Sequence, residues 1–192
     1  VIILEMDTFG GQVDAALQMV DTMLNVKGAP TIAYVKTKAI SAGALIALSC
    51  QKLYMQHHTT IGDCAPLTYG NDGPKMLGEK FQSPLRAKFR TLAKRNNYPE
   101  RLTEAMVTEG LTVLEIVFKD TTMYMDSTEL AELTPEIKKK VLSVKTIDKN
   151  NELLTIDDVE AHRLGFSQKS VGSIEEVLKD LGYENSTVIR VK

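Results

Sequence analysis

The chain has 192 residues, with 23 basic and 25 acidic side chains and a formal net charge of -2. That balance provides no electrostatic footprint for nucleic acid. Hydrophobic content of 43% and charged content of 25% are those of a globular domain with a core of ordinary size. Cys50 and Cys64 make neither a disulfide framework nor a zinc-ligand pattern, and no apolar run approaches the length of a bilayer span.

Residues 1–6 are largely apolar, the pattern of a strand buried on both faces. A buried strand is a poor place for a natural terminus, so 1–192 reads as one domain cut from a longer protein. Met6-Asp7-Thr8-Phe9-Gly10-Gly11 follows, and a double glycine after a strand lets backbone N–H groups approach a ligand closely. Residues 12–26 carry Val13, Ala16, Leu17, Val20, Met23 and Leu24 at helical spacing, and Gly28 and Pro30 end that helix. A strand over 31–36 leads to Lys38-Ala39-Ile40-Ser41-Ala42-Gly43-Ala44-Leu45. This is a serine at the mouth of an apolar helix, where free N–H groups collect and developing oxyanions are stabilised. With a further strand at 52–56, the alternation predicts an α/β sheet with right-handed crossovers. Functional groups then belong at the carboxyl ends of the strands, where Gly10-Gly11 and Ser41 fall.

Residues 59–78 contain Gly62, Pro66, Gly70, Gly73, Pro74 and Gly78 and read as a loop. A long helix starts near Lys80 or Ser83, the latter capping with Pro84 in the first turn, and runs to about Asn96. A short helix is expected over 99–108. Residues 111–152 read as a protruding element of short strands, 113–118, 123–126 and 141–147, around a helix opened by Thr134-Pro135-Glu136. The tail predicts a helix over 155–164 closed by Gly165, a strand near 167–171, a helix from Ser173 and a last strand at 187–191. There is no internal repeat.

A serine is nucleophilic at neutral pH only beside a base. Three histidines, His57, His58 and His162, are open candidates, as are Lys75 and Lys80 at the start of the long helix, since a desolvated lysine can take the serine proton. The alternatives for each residue are structural. Ser41 could be a plain N-cap, the glycines a simple turn, Lys80 a surface charge, and Met123-Tyr124-Met125 core or subunit contact rather than a hydrophobic substrate rim. His57-His58 with Asp63 or Cys64 lacks a convincing fourth metal ligand.

Met6–Gly11, Ser41-Ala42-Gly43-Ala44-Leu45-Ile46-Ala47, Thr60-Ile61-Gly62 and Glu79-Lys80-Phe81-Gln82-Ser83 resemble the membrane-bound serine proteases of the ClpP class. Within that class they are similar to the NfeD-like family, often encoded beside stomatin-like proteins. The tail segments Leu153-Leu154-Thr155, Leu164-Gly165-Phe166 and Ser173-Ile174-Glu175-Glu176 carry the likeness on, and it is weakest at 115–150. The resemblance implies a ClpP/crotonase-like α/β fold of repeated ββα-type units, a mostly parallel sheet and helices packed outside. It implies Ser41 as nucleophile and Lys80 as general base of a Ser-Lys dyad, because the stretch where Clp-type proteases carry a histidine, residues 65–68 here, holds none. Gly11 and Ala42 would supply the oxyanion-hole N–H groups, with Gly10 shaping the turn. Each such donor lowers a barrier by about 3–4 kcal/mol.

The activity implied is serine endopeptidase, without metal or organic cofactor, on hydrophobic segments of membrane-associated proteins, a stomatin-like protein among them. Self-association as a dimer or larger ring, and membrane anchoring through segments absent from this chain, are implied too. Phe9 stands where the family has proline, His57-His58 where it has Pro-Gly, and Asp63 where it has a small residue. The family's strand and helix before residue 1 have no counterpart here. Two rivals remain: a catalytically idle scaffold binding a stomatin-like protein, with Phe9 blocking the site, and an acyl-CoA enzyme of the crotonase type.

Overall fold

The computed structural model describes residues 1–70, 73–149 and 152–191. Residues 71–72 of the expected loop and 150–151 of the expected protruding element lie outside the described residues. The chain begins with β1 (Ile2–Thr8), α1 (Val13–Asn25), β2 (Thr31–Ile40), α2 (Ala42–Ser49), β3 (Lys52–Gln56) and β4 (Thr60–Gly62). A hairpin of β5 (Leu67–Gly70) and β6 (Gly73–Met76) precedes α3 (Glu79–Asn96) and α4 (Glu100–Ala105).

The ten residues of β2 organise the sheet by forking. One edge pairs in parallel with β1 over Ile2↔Thr31 to Thr8↔Ala39. The other pairs first with β3, over Ile32↔Lys52 to Val35↔Met55, and then with β4, over Lys38↔Thr60 to Ile40↔Gly62. The strand is thus longer than the 31–36 expected, and its last residues carry the ladder that ends beside Ser41. Side chains alternate across the pleat. Ala33 and Val35 of β2 join Leu53 and Met55 of β3 in the main core under α1, α2 and α3. Ile32, Tyr34 and Tyr54 face a second cluster with Val177. Both faces of β2 and β3 are therefore covered, which is why their sequences read as unbroken apolar runs.

β1 departs from the expectation of double burial: only Met6 is buried, and Val1, Ile2 and Glu5 are exposed. Among the described strands it pairs with β2 alone, which makes it an edge strand. The α2 helix is apolar all round and buried from Gly43 to Ser49, as a helix enclosed by core must be. Its last carbonyls are satisfied from α3, where Asn96 Nδ2 donates to Leu48 O and Cys50 O and Arg95 donates to Ser49 O. α3 starts at Glu79 behind Gly78 rather than behind a Ser83 cap, so Pro84 lies inside the helix.

The middle of the chain forms a separate antiparallel sheet of β7 (Val113–Val117), β8 (Thr122–Met125) and, after α5 (Ser127–Glu132) and α6 (Pro135–Lys138), β9 (Ser143–Asp148). Two short helices stand where one was expected. α5 has its own capping box, Asp126 with Glu129. Of the methionine cluster, Met125 is buried and Met123 exposed. The expected helix over 155–164 divides into β10 (Thr155–Asp157), antiparallel to β4, and α7 (Asp158–Arg163), capped by Asp157 and Glu160. β11 (Ser170–Val171) adds in parallel to β3, and α8 (Ile174–Asp180) covers the second cluster. No strand forms at 187–191, where Ile189 and Val191 are largely exposed. The alternation of apolar residues there has no ladder to join. No helix among the described residues is long and apolar enough to cross a membrane.

Candidate active site

Ser41 sits between the end of β2 and the start of α2 with φ 56° and ψ -120°. This is a costly conformation for a residue with a Cβ, about 1–3 kcal/mol. Its side chain makes no capping hydrogen bond, so the plain N-cap reading does not describe it. A serine thrust out on a sharp strand-to-helix turn is the geometry of a nucleophile elbow. Its N–H donates to Gly62 O at 2.9 Å, and Ala44 N–H donates to Ser41 O at 3.0 Å. The Ala42 and Gly43 N–H groups open α2, where no intrahelical acceptor exists for them.

The glycine turn packs directly on this elbow. Gly10 has φ +109°, and a Cβ there would stand 2.7 Å from Ser41 Cβ and 3.2 Å from Ala42 N. Only glycine supplies both the backbone angle and the space. Thr8 holds the turn: its Oγ1 accepts from Gly10 N–H at 3.0 Å and donates to Gly10 O at 3.3 Å. Gly11 faces open space, and its N–H makes no hydrogen bond to the described residues.

Gly10, Gly11, Ser41 and Ala42 line one cavity of about 710 Å³. Its walls are apolar, with Val13, Leu45, Leu67, Leu85 and Phe89, and Asp63 and Cys64 complete it beside Ser41. Burial pushes the Cys64 thiol well above its ordinary range, and the neighbouring Asp63 charge adds to this. Cys64 is therefore a neutral, inert wall. A second cavity of about 340 Å³ shares Gly10, Gly11 and Ala42 and runs along Leu4–Thr8 of β1. The glycine turn thus stands between two hollows.

Four of the five residues singled out from the sequence meet at this cavity. Lys80 does not line it. It is exposed as the second residue of α3, and the cavity touches that helix further along, at Leu85 and Phe89. None of the other base candidates lines it either. His57 lies 3.5 Å from Asp158, His162 Nδ1 is 3.1 Å from Ser167 O, and Lys75 belongs to β6. Ser41 Oγ makes no hydrogen bond to the described residues.

Phe9 is 77% exposed at the rim, with Lys38 Nζ 4.3 Å from its ring centroid and bonded to Asp7 at 2.8 Å. The bulk that replaces proline projects outward and leaves the cavity open. No group of three or more His, Cys, Asp or Glu residues that could hold a metal occurs among the described residues. Sequence reasoning missed Thr8, whose hydroxyl looks like any strand threonine, and Gly62, whose carbonyl anchors Ser41 N–H.

A family model described as NfeD1b, N-terminal domain, matches residues 1–134, the span that contains every residue lining the Ser41 cavity. Membrane protein NfeD1b of Bacillus subtilis is 27% identical over 192 residues, all of this chain and 36% of its own length. Membrane-bound protease PH1510 of Pyrococcus horikoshii is 27% identical over 224 residues, covering 95% of this chain and 51% of the relative. The chain thus spans about a third to a half of the length of these relatives. Among solved structures, a lysine-to-alanine mutant of the 1510-N membrane-bound stomatin-specific protease, in complex with a substrate peptide, superposes with a TM-score of 0.66. It is 24% identical, covering 93% of this chain and 64% of that one. A serine-to-alanine mutant of the same protease gives the same TM-score and identity, over 67% of its chain. These likenesses establish the fold, and the ClpP/crotonase-like architecture with its curled, mostly parallel sheet holds as expected from the sequence.

Proposed function

This chain belongs to the family of NfeD1b N-terminal domains, and from that premise we propose that it is a serine endopeptidase domain acting through Ser41 and Lys80. Lys80 takes the Ser41 proton, and Ser41 Oγ attacks the scissile carbonyl. The tetrahedral oxyanion is held by the Gly11 and Ala42 N–H groups, and water then hydrolyses the acyl-enzyme. The observation that carries this reading is the strained Ser41 elbow packed against Gly10, with both donor groups on one open cavity. The name of the 27% identical relative, a membrane-bound protease, supports it.

The substrate is a polypeptide with an apolar segment, because the cavity beside Ser41 is walled by Leu45, Leu67, Leu85 and Phe89. A stomatin-like membrane protein is the proposed partner, in line with the stomatin-specific structural neighbours. A longer, membrane-anchored parent and self-association complete the proposal. In this proposal Lys80 reaches Ser41 when bound substrate or a second copy draws the start of α3 toward the cavity, since catalytic hydrogen bonds often tighten around bound substrate.

The test is cleavage of an apolar peptide by the chain, beside Ser41→Ala and Lys80→Ala, with labelling by a serine-directed fluorophosphonate. Cleavage and labelling lost in Ser41→Ala, and cleavage lost in Lys80→Ala, support the dyad. Cleavage that survives Lys80→Ala and disappears on changing His57 or His58 moves the base to histidine. One observation favours a second reading, an idle scaffold for a stomatin-like protein: among the described residues no base touches Ser41 Oγ, and Lys80 is exposed. A folded chain that neither cleaves nor labels selects that reading.

A further inference from the structure

We propose that Asp63 makes this site selective for an apolar segment bordered by a lysine or arginine; this rests on the peptidase reading and narrows its substrate class. Among the described residues lining the Ser41 cavity Asp63 is the only charged one, and apart from the neutral Gln12 the other walls are apolar or small. Its carboxylate makes no hydrogen bond or ion pair with the described residues, and the side chain is exposed. The nearby rim cation, Lys38, is already engaged by Asp7 and lies over Phe9.

The backbone that carries this carboxylate is held in place. Asp63 has φ +49°, a left-handed conformation that aspartate tolerates better than most residues. Its N–H donates to Leu154 O at 3.2 Å, and the next N–H, of Cys64, donates to Met106 O at 2.7 Å. The preceding carbonyl, Gly62 O, accepts from Ser41 N–H. Asp63 is therefore fixed one residue from a group bonded to the nucleophile. A peptide lying across the cavity strips water from this carboxylate. An unpaired buried charge is costly, a cation from the substrate offsets that cost, and a second carboxylate adds repulsion. Apolar segments of membrane proteins commonly end in Lys or Arg, so the chemistry demanded at the rim accompanies the chemistry demanded in the cavity.

The experiment uses the full chain carrying Ser41→Ala, so that bound peptides stay intact. Fluorescent apolar peptides with Lys, Gln or Glu placed at each flank in turn are titrated by anisotropy at low and high salt. Lys is expected to bind more tightly than Gln by roughly tenfold at one flank, and Glu more weakly than Gln. Salt should shrink the spread. Adding Asp63→Asn, which tolerates the same backbone angle, should abolish the spread, with the Gln peptide bound at least as tightly as by the chain that keeps Asp63. Asp63→Gly, which relieves the angle outright, should do the same.

Equal binding of the three peptides, or a Lys preference that survives both Asp63 variants, overturns the proposal. So does failure of every peptide to bind to a chain shown folded by circular dichroism. The same peptides given to the chain with Ser41 intact separate the two ideas. Binding that follows Asp63 without cleavage sinks the peptidase reading alone, and cleavage indifferent to Lys sinks Asp63 alone.

Discussion

The contact between the glycine turn and the Ser41 helix can be tested through one methyl group. A Cβ built on Gly43 would stand 2.5 Å from Thr8 Cγ2, while its next neighbours, Ala39 Cβ at 3.7 Å and Thr8 O at 3.8 Å, are at ordinary distances. The whole obstruction is therefore the Thr8 methyl. Thr8 cannot swing it away freely, because its hydroxyl is bonded to both N–H and C=O of Gly10. Replacing a helical glycine by alanine is worth about 0.5–1 kcal/mol where there is room. Overpacking costs about 1–3 kcal/mol, and rotating Thr8 would lose a hydrogen bond worth about 0.5–1.5 kcal/mol.

Gly43→Ala should thus destabilise by about 1–2 kcal/mol, or roughly 2–8 °C in Tm for a domain of this size. Thr8→Ser keeps the hydroxyl and removes the methyl. In the double variant the clash is gone and the helix gains an alanine, so stability should return to that of the parent or exceed it. The coupling energy from urea midpoints followed by circular dichroism should be about 1–2 kcal/mol in favour of the double variant. If Gly43→Ala is as stable as the parent, or if the two changes simply add, the packing of the turn on α2 is not as described.

Ser41→Gly should raise Tm, since glycine relieves a strain of about 1–3 kcal/mol against an entropic cost of about 0.5–1 kcal/mol. Ser41→Ala should leave Tm within a degree or two, because the backbone angle stays as strained as before. Asp148 is buried, its Oδ2 has no hydrogen-bond partner among the described residues, and burial pushes its carboxyl up to about 6. Between its ordinary value of 3.8 and about 6 the folded state keeps a proton that the unfolded state has lost. Stability therefore falls as pH rises through that window. Asp148→Asn should flatten this slope and stabilise the protein at pH 7 by about 1–2 kcal/mol, read from denaturation at a series of pH values. Glu129 goes the other way: its hydrogen bond from Arg101 holds its carboxyl below the ordinary 4.5. Its contribution is present above pH 4.5 and disappears as pH falls through the depressed value, so Arg101→Gln should remove that part of the acid-side loss.

The elements carrying the site were legible because their signals are local. A double glycine after a strand, and a serine before a small-residue apolar run, each specify a turn within a few residues. What the sequence hid depends on partners distant in the chain. The residue 1–6 run looks doubly buried, yet an edge strand differs from a central one only in lacking a neighbour. Gly62, Pro66, Gly70 and Gly73 suggest a loop, but Thr60–Gly62 is drawn into the sheet by β2 and β10, and the hairpin after it closes around residues that punctuate both strands. At 155–164 the expected helix starts only at Asp158, because Thr155 and Ile156 are claimed by the ladder with β4. Lys80 was placed on the right helix. Whether it serves Ser41 is a question of side-chain reach that no spacing encodes.

The strain at Ser41 persists only because other contacts over-determine it, and those contacts come from far along the chain. The elbow hangs on Gly62 O, and Gly62 is itself held at φ +139° where any Cβ would run into the Leu154 carbonyl. β10 pairs Thr155 with Gly62, Asp63 N–H is bound to Leu154 O, and Leu154 N–H is bound to Ala105 O of α4. The Ser41 turn is therefore positioned partly by residues 154–155, beyond the 1–134 span that the family model matches. A chain ending before β10 would keep every residue proposed for chemistry and lose the brace that fixes the Ser41 turn. Gly62→Ala attacks the same brace at its centre, by both backbone angle and collision. It should disorder the elbow even in a chain that still folds, because the energy stored at Ser41 is released as soon as Gly62 can move.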